Sequence, residues 1–205
     1  YNNIESLKKQ IKKFKGKIAC VVLEPSSTEC PKINKNDSAC CNLEKCNRNF
    51  KKENHFLKQV ELICNKNNIV FILDEMITGF RWHINGAQNF YGVKPDISTF
   101  GKAMANGFSV SAVCGKKKIM ELGSITNINE ERVFLLSTTH GAEMNGLAAF
   151  TETVKFLKKN NVISHNWKYG AKLILEGNKI AKKIGINEFF YFSGIACSPL
   201  YNCLD

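Results

Sequence analysis

The sequence predicts an α/β protein built on a mostly parallel, mixed sheet flanked by helices. Three observations carry that expectation. Residues 18–23 and 69–73 are short, continuous apolar runs with β-branched side chains, as in strands buried on both faces. Between them, residues 54–66 set Phe56, Leu57, Val60, Ile63 and Cys64 at helical spacing. Strand, helix and strand in that order form a parallel unit, whose crossover is right-handed in nearly all such folds.

The elements follow in chain order. Residues 4–14 put Ile4, Leu7, Ile11 and Phe14 on one helical face, with lysines opposite and Gly16 as the stop. The first strand ends at Glu24-Pro25, because proline cannot donate to a ladder. Residues 26–53 are polar and irregular, carry Cys30, Cys40, Cys41 and Cys46, and read as an inserted loop. After the second helix, Asn67-Asn68 makes the turn into the second strand, which ends at Asp74. Short β-like pieces come next at 97–100, 109–114 and 133–136, with a short helix over 116–122. A helix over 142–160 should turn Leu147, Phe150, Val154 and Leu157 inward. A second helical pattern runs from 161 to 183 through Trp167, Leu173, Ile174 and Ile180, and Gly185 opens a strand over 189–195.

Composition narrows the function classes. The net charge is +11, but the lysines are spread along helix faces (Lys8, Lys9, Lys12, Lys13; Lys155, Lys158, Lys159; Lys179, Lys182, Lys183). That distribution favours solvated helix faces over a nucleic-acid surface, which would gather its charge in one patch. No apolar run approaches the roughly 20 residues that span a bilayer, and the first residues lack an apolar signal region. The nine cysteines are odd in number and follow no secretory signal, which predicts a reducing cytoplasm rather than a disulfide framework. Cys20, Cys64 and Cys114 occupy core-like positions. The chain begins without a methionine and stops in apolar sequence, so a segment of a longer protein is expected.

The chemistry gathers between Asp74 and Lys102. In open parallel sheets, ligands bind beyond the carboxyl ends of the strands, where Glu24 and Asp74 fall. A fixed carboxylate facing a pyridine nitrogen keeps that nitrogen protonated and the ring electron-withdrawing. A lysine that forms an imine needs shielding and small neighbours, and Gly101, Ala103, Ala105 and Gly107 surround Lys102. The same amine can then shuttle a proton. Taken singly, Asp74 reads more readily as a turn aspartate and Lys102 as a surface-loop lysine. Ser137, Thr138 and Thr139 precede a helix and suit either a phosphate or simple N-capping.

Four motifs taken together carry a resemblance: Leu73-Asp-Glu-Met-Ile-Thr-Gly-Phe-Arg81, Gly86-Ala-Gln88, Gly92-Val-Lys-Pro-Asp-Ile-Ser-Thr-Phe-Gly-Lys102 and Thr138-Thr-His-Gly-Ala142. The sequence resembles the class III (subgroup II) pyridoxal-phosphate aminotransferases, and most of all the glutamate-1-semialdehyde aminomutase branch, over residues 1–25 and 54–205. The resemblance implies a fold type I transferase: residues 1–160 in the cofactor-binding large domain with the 26–53 insert, 161–183 as a connecting helix, and 184–205 opening a small C-terminal α+β domain. It implies that Lys102 holds pyridoxal 5'-phosphate as an imine and that Asp74 pairs with the ring nitrogen. Thr139, with Thr138 as the adjacent register, would reach the phosphate across a homodimer interface. Glu24 would support the site, and Gln88 and Arg81 would be structural or stand just behind the residues that touch the cofactor.

The implied activity is an aminotransferase or aminomutase that moves an amino group to or within an amino acid, amino aldehyde or amino sugar. The competing reading is a non-catalytic binding module of the same fold, with the cysteine-rich insert serving a metal or an interaction. Zinc favours four thiols, and Cys30, Cys40, Cys41 and Cys46 offer them, but no Cys-x-x-Cys pair exists, so no metal is expected. Several family features are missing or altered. The phosphate-binding turn and the ring-stacking aromatic would lie upstream, and most of the small domain would lie downstream. His140 stands where an aromatic is usual, and Gly141-Ala142-Glu143 replaces Gly-Gly-Asn. Little or no activity is therefore expected of residues 1–205 alone.

Overall fold

The structure, a computed structural model, describes residues 1–26, 29–32, 54–124, 126, 141 and 143–204. Helix α1 (Ile4–Lys13) starts where the Asn3 side chain accepts the Ser6 amide at 3.0 Å, and ends on Lys12 and Lys13, whose charge suits a helix C-terminus. Strand β1 (Cys20–Leu23) follows, then α2 (Phe56–Lys66) and β2 (Val70–Asp74). His55 caps α2: its Nδ1 accepts the Lys58 amide at 3.3 Å, so Nε2 carries the proton and donates to the Tyr91 carbonyl at 2.9 Å. Then come α3 (Gly86–Tyr91), β3 (Ile97–Phe100), a 3-10 turn (Lys102–Met104) and β4 (Ala112–Gly115). The short α4 (Lys117–Met120) runs into a 3-10 turn over Glu121–Gly123.

β1, β2 and β3 are parallel and β4 is antiparallel, in the spatial order β1-β2-β3-β4, so the sheet is the mostly parallel mixed one expected. The core lies on one face of it. Leu57, Val60 and Cys64 of α2 pack with Phe71 and Leu73 of β2 and with Trp82, Ala87, Tyr91 and Val93. Burial in this apolar setting pushes the Cys64 thiol up to about 11, which keeps it protonated and inert.

The register between β2 and β3 is set by the buried carboxylate of Asp96. Its Oδ2 accepts the Phe71 amide at 2.7 Å, its own amide donates to the Phe71 carbonyl at 2.7 Å, and Lys116 pairs with Oδ1 at 2.5 Å. This clamp aligns Ile72 with Ile97 and so puts Thr99 beside Asp74.

The last third of the chain is α5 (Met144–Lys159), α6 (Val162–Lys183) and a hairpin of β5 (Phe190–Ile195) and β6 (Ser198–Cys203). α6 joins the core through Trp167, which stacks on Phe90 at 5.4 Å and donates from Nε1 to the Arg81 carbonyl at 3.2 Å. Asn178 of α6 pairs like a strand with Phe192: its Oδ1 accepts the amide at 2.7 Å and its Nδ2 donates to the carbonyl at 2.9 Å. Gly170 lets the helix touch the hairpin turn, since a Cβ there would run into the Ala196 carbonyl. No described helix is long and apolar enough to cross a membrane.

Several expectations need correction. β1 is not buried on both faces: its residues alternate between exposed and half-buried, and Val22 is 57% exposed. Cys20 and Cys114 are exposed rather than core, because β1 and β4 are the two edges of the described sheet. Cys64 is buried as expected. Leu147 and Leu173 are about two-fifths exposed and Ile180 more so, while Leu157 and Ile174 are buried. Helical spacing defines a stripe, but only the docked part of that stripe is covered. The expected strand over 133–136 and most of the 26–53 insert lie outside the described residues.

Candidate active site

The parallel strands end at one level. Leu23 lies beside Leu73 and Asp74 beside Thr99, so Glu24, Asp74 and the turn after Phe100 share the carboxyl edge of the sheet. This is where an open parallel sheet binds ligands. Asp74 and the turn that holds Lys102 therefore follow neighbouring strands.

Asp74 is half-buried. Its Oδ1 accepts two hydrogen bonds, from the Met76 amide at 3.0 Å and from Thr99 Oγ1 at 3.0 Å. Its Oδ2 accepts none among the described residues.

Lys102 opens the 3-10 turn with φ +44, in the left-handed region that non-glycine residues seldom occupy. Such a conformation costs energy and persists where surrounding structure holds it. Ala103, Met104 and Ala105 are buried behind it. Gly101 is extended, and its missing Cβ leaves room for the thioether of Met76. The shielding expected for Lys102 is absent among the described residues: the residue is exposed. Small neighbours along the chain do not create a wall, which has to come from residues distant in sequence.

Sequence reasoning treated Glu75 and Thr99 only as parts of motifs. Glu75 is fully buried. Its Oε2 accepts Thr78 Oγ1 and the Ala87 amide, both at 2.7 Å, and its Oε1 accepts the Gln88 amide at 2.7 Å. Burial raises its pKa, while the bonds from Gln88, Thr78 and Ala87 pull it down. Gly86, at φ +82, lets the backbone come this close, since a Cβ there would sit 2.6 Å from Oε1. Gln88 then accepts Ser98 Oγ of β3 at 2.8 Å, a structural role as expected. The signal for Glu75 lay in the Glu-x-x-Thr spacing just after the strand, which suits a closed turn.

Glu24 is exposed at the end of β1. Arg81 is half-buried, and its carbonyl rather than its charge is used, by Trp167. Thr138, Thr139 and His140 lie outside the described residues, as do Cys40, Cys41 and Cys46. Cys30 is buried, 4.0 Å from Ser26 Oγ. Among the described residues no group of His, Cys, Asp and Glu could hold a metal ion.

The sheet is a mixed α/β one whose parallel strands bring an acid and a lysine-bearing turn to one edge. Residues 1–188 match the family model of the class-III aminotransferases, and the chain belongs to that family. It is 39% identical over 159 residues to glutamate-1-semialdehyde 2,1-aminomutase of Nitrosopumilus maritimus, covering 78% of this chain and 32% of the relative. It is 30% identical over 186 residues to 3-aminobutyryl-CoA aminotransferase of Cloacimonas acidaminovorans, covering 91% of this chain and 40% of the relative. Among solved structures, an omega-transaminase from Sphaerobacter thermophilus superposes with a TM-score of 0.72 at 20% identity, over 96% of this chain and 40% of that one. Ornithine delta-aminotransferase of Plasmodium falciparum superposes with a TM-score of 0.67 at 21% identity, over 96% and 44%. These two likenesses show the fold, fold type I α/β. The chain spans about a third to two-fifths of the length of the curated relatives it matches.

Proposed function

We propose that the chain carries the cofactor-holding part of a pyridoxal-phosphate-dependent aminotransferase or aminomutase. One observation supports this most: Asp74 and Lys102 stand on adjacent strand ends at the carboxyl edge, in a member of the class-III family. The residues present fit the cofactor. Asp74 keeps one carboxylate oxygen without a hydrogen bond among the described residues, and the exposed Lys102 opens the turn that follows β3.

When bound, the cofactor supplies a protonated ring that takes up the electrons released at a substrate carbon. Asp74 would hold the ring nitrogen through Oδ2. Lys102 would hold the cofactor through its amine and, once displaced by a substrate amine, carry a proton between two carbons. Glu24 would flank the site from β1. Thr139 would bind the phosphate from the partner subunit of a homodimer. The substrate would be an amino acid, amino aldehyde or amino sugar. The assignment of residues 1–160 to the large domain, 161–183 to the connecting helix and 184–205 to the start of a small domain belongs to the same reading.

The test is to add pyridoxal phosphate to the full-length protein and follow imine absorbance. A band that borohydride fixes on Lys102, and that Lys102→Ala abolishes, is expected. A folded protein that gives no band would overturn the reading.

A further inference from the structure

We infer that Thr99 is a positioning residue for Asp74: its hydroxyl fixes one carboxylate oxygen so that the other is presented to the ligand. This rests on the reading above, in which Asp74 meets the ring nitrogen of the cofactor.

The geometry is specific. Thr99 lies directly beside Asp74 in the β2–β3 register, and the Glu75 amide donates to the Thr99 carbonyl at 2.9 Å, closing the ladder one step further on. Both donors to Asp74 converge on Oδ1 from different directions. The Met76 amide comes from the turn two residues on, and Thr99 Oγ1 comes from the next strand. The amide alone makes a local turn about which the carboxylate can still swing. The second, cross-strand donor removes that freedom. Threonine suits the task because its branched Cβ restricts χ1 on a strand. Its bond to a carboxylate is also stronger than one between neutral groups.

The position of Thr99 does not depend on its own hydroxyl. The Asp96 clamp on Phe71 and the bond from Ser98 to Gln88 hold β3 in register from other residues. Thr99→Val therefore removes the donor while keeping the volume and the strand preference.

The test is a double-mutant cycle in the full-length protein, reading the dissociation constant for pyridoxal phosphate with the melting temperature of the cofactor-free protein alongside. Thr99→Val should weaken binding about tenfold, the order expected for a hydrogen bond to a charged group. Thr99→Ser should restore binding to within about twofold, because it returns the hydroxyl. In an Asp74→Ala background, Thr99→Val should cost nothing further. Additive losses would mean that Thr99 only supports the fold, and would overturn the inference, as would wild-type affinity for Thr99→Val. If Thr99→Val does not fold, Thr99→Ala takes its place in the cycle under the same criteria. If Asp74→Ala binds the cofactor like the wild type, the role of Asp74 itself falls, an outcome distinct from failure of Thr99 alone.

Discussion

Two neighbouring carboxylates, Asp74 and Glu75, divide two tasks by environment. Asp74 is half-buried and keeps an oxygen available, whereas Glu75 is fully buried and spends both oxygens on Thr78, Ala87 and Gln88. Glu75→Gln should destabilise the protein by about 1–3 kcal/mol in a denaturant melt, because the amide turns an NH2 group toward backbone donors that need an acceptor. The pH dependence has a definite sign. The folded pKa of Glu75 lies above its ordinary value, so the folded state holds this proton more tightly than the unfolded chain does. Its contribution to stability is fully present below the ordinary carboxylate range and is lost as pH rises through the raised value. Glu75→Gln should remove that downward slope; a wild-type stability that rises with pH relative to the variant in this window would contradict the assignment. The identity of both carboxylates was legible in the sequence. Their division of labour was not, because burial of Glu75 depends on α3 folding back onto the turn.

At the scale of elements, α2 and α6 show what helical spacing can and cannot tell. The periodic residues of α2 are largely buried because the helix lies on β2, and Leu57 is wholly enclosed. Leu57→Ala should cost about 2–5 kcal/mol of unfolding free energy, read from chemical denaturation. The periodic residues of α6 are only partly covered, since the helix meets the core through Trp167 and the hairpin through Gly170 and Asn178. Asn178→Ala leaves the Phe192 amide and carbonyl without their partner. Hydrogen exchange at the Phe192 amide should then accelerate by at least tenfold while α2 amides stay protected. Unchanged exchange at Phe192 would mean that the hairpin holds itself. A strand over 189–195 was legible after Gly185, but its partner β6 was not. Pro199 lies within β6, where it is tolerated because a two-stranded sheet has only edges.

Over the whole molecule, the two faces of the sheet have different fates. Phe71 and Leu73 point into the core, while alternation turns Asp74 and Thr99 to the other face with Val22, Ile72 and Val113. On that second face Val22 and Val113 are more than half exposed among the described residues. Val22→Lys should therefore raise the concentration at which the chain precipitates and change unfolding free energy by no more than about 0.5 kcal/mol. A large loss of stability would show that this face is packed. The exposure of Lys102 belongs to the same picture. The chain covers 32% of one curated relative and 40% of another.

The sequence by itself determined the α/β class, the parallel strand-helix-strand unit, and the residues at the strand ends. It could do so because apolar periodicity and chain order are local, and because parallel crossovers have one hand. Only the tertiary structure decided that β1 and β4 are edges, that Glu75 is an internal tie, and that Thr99 reaches Asp74. Those facts depend on strand register and on surfaces brought together from distant parts of the chain. One tie that holds this register is the buried carboxylate of Asp96, whose partner Phe71 lies 25 positions earlier.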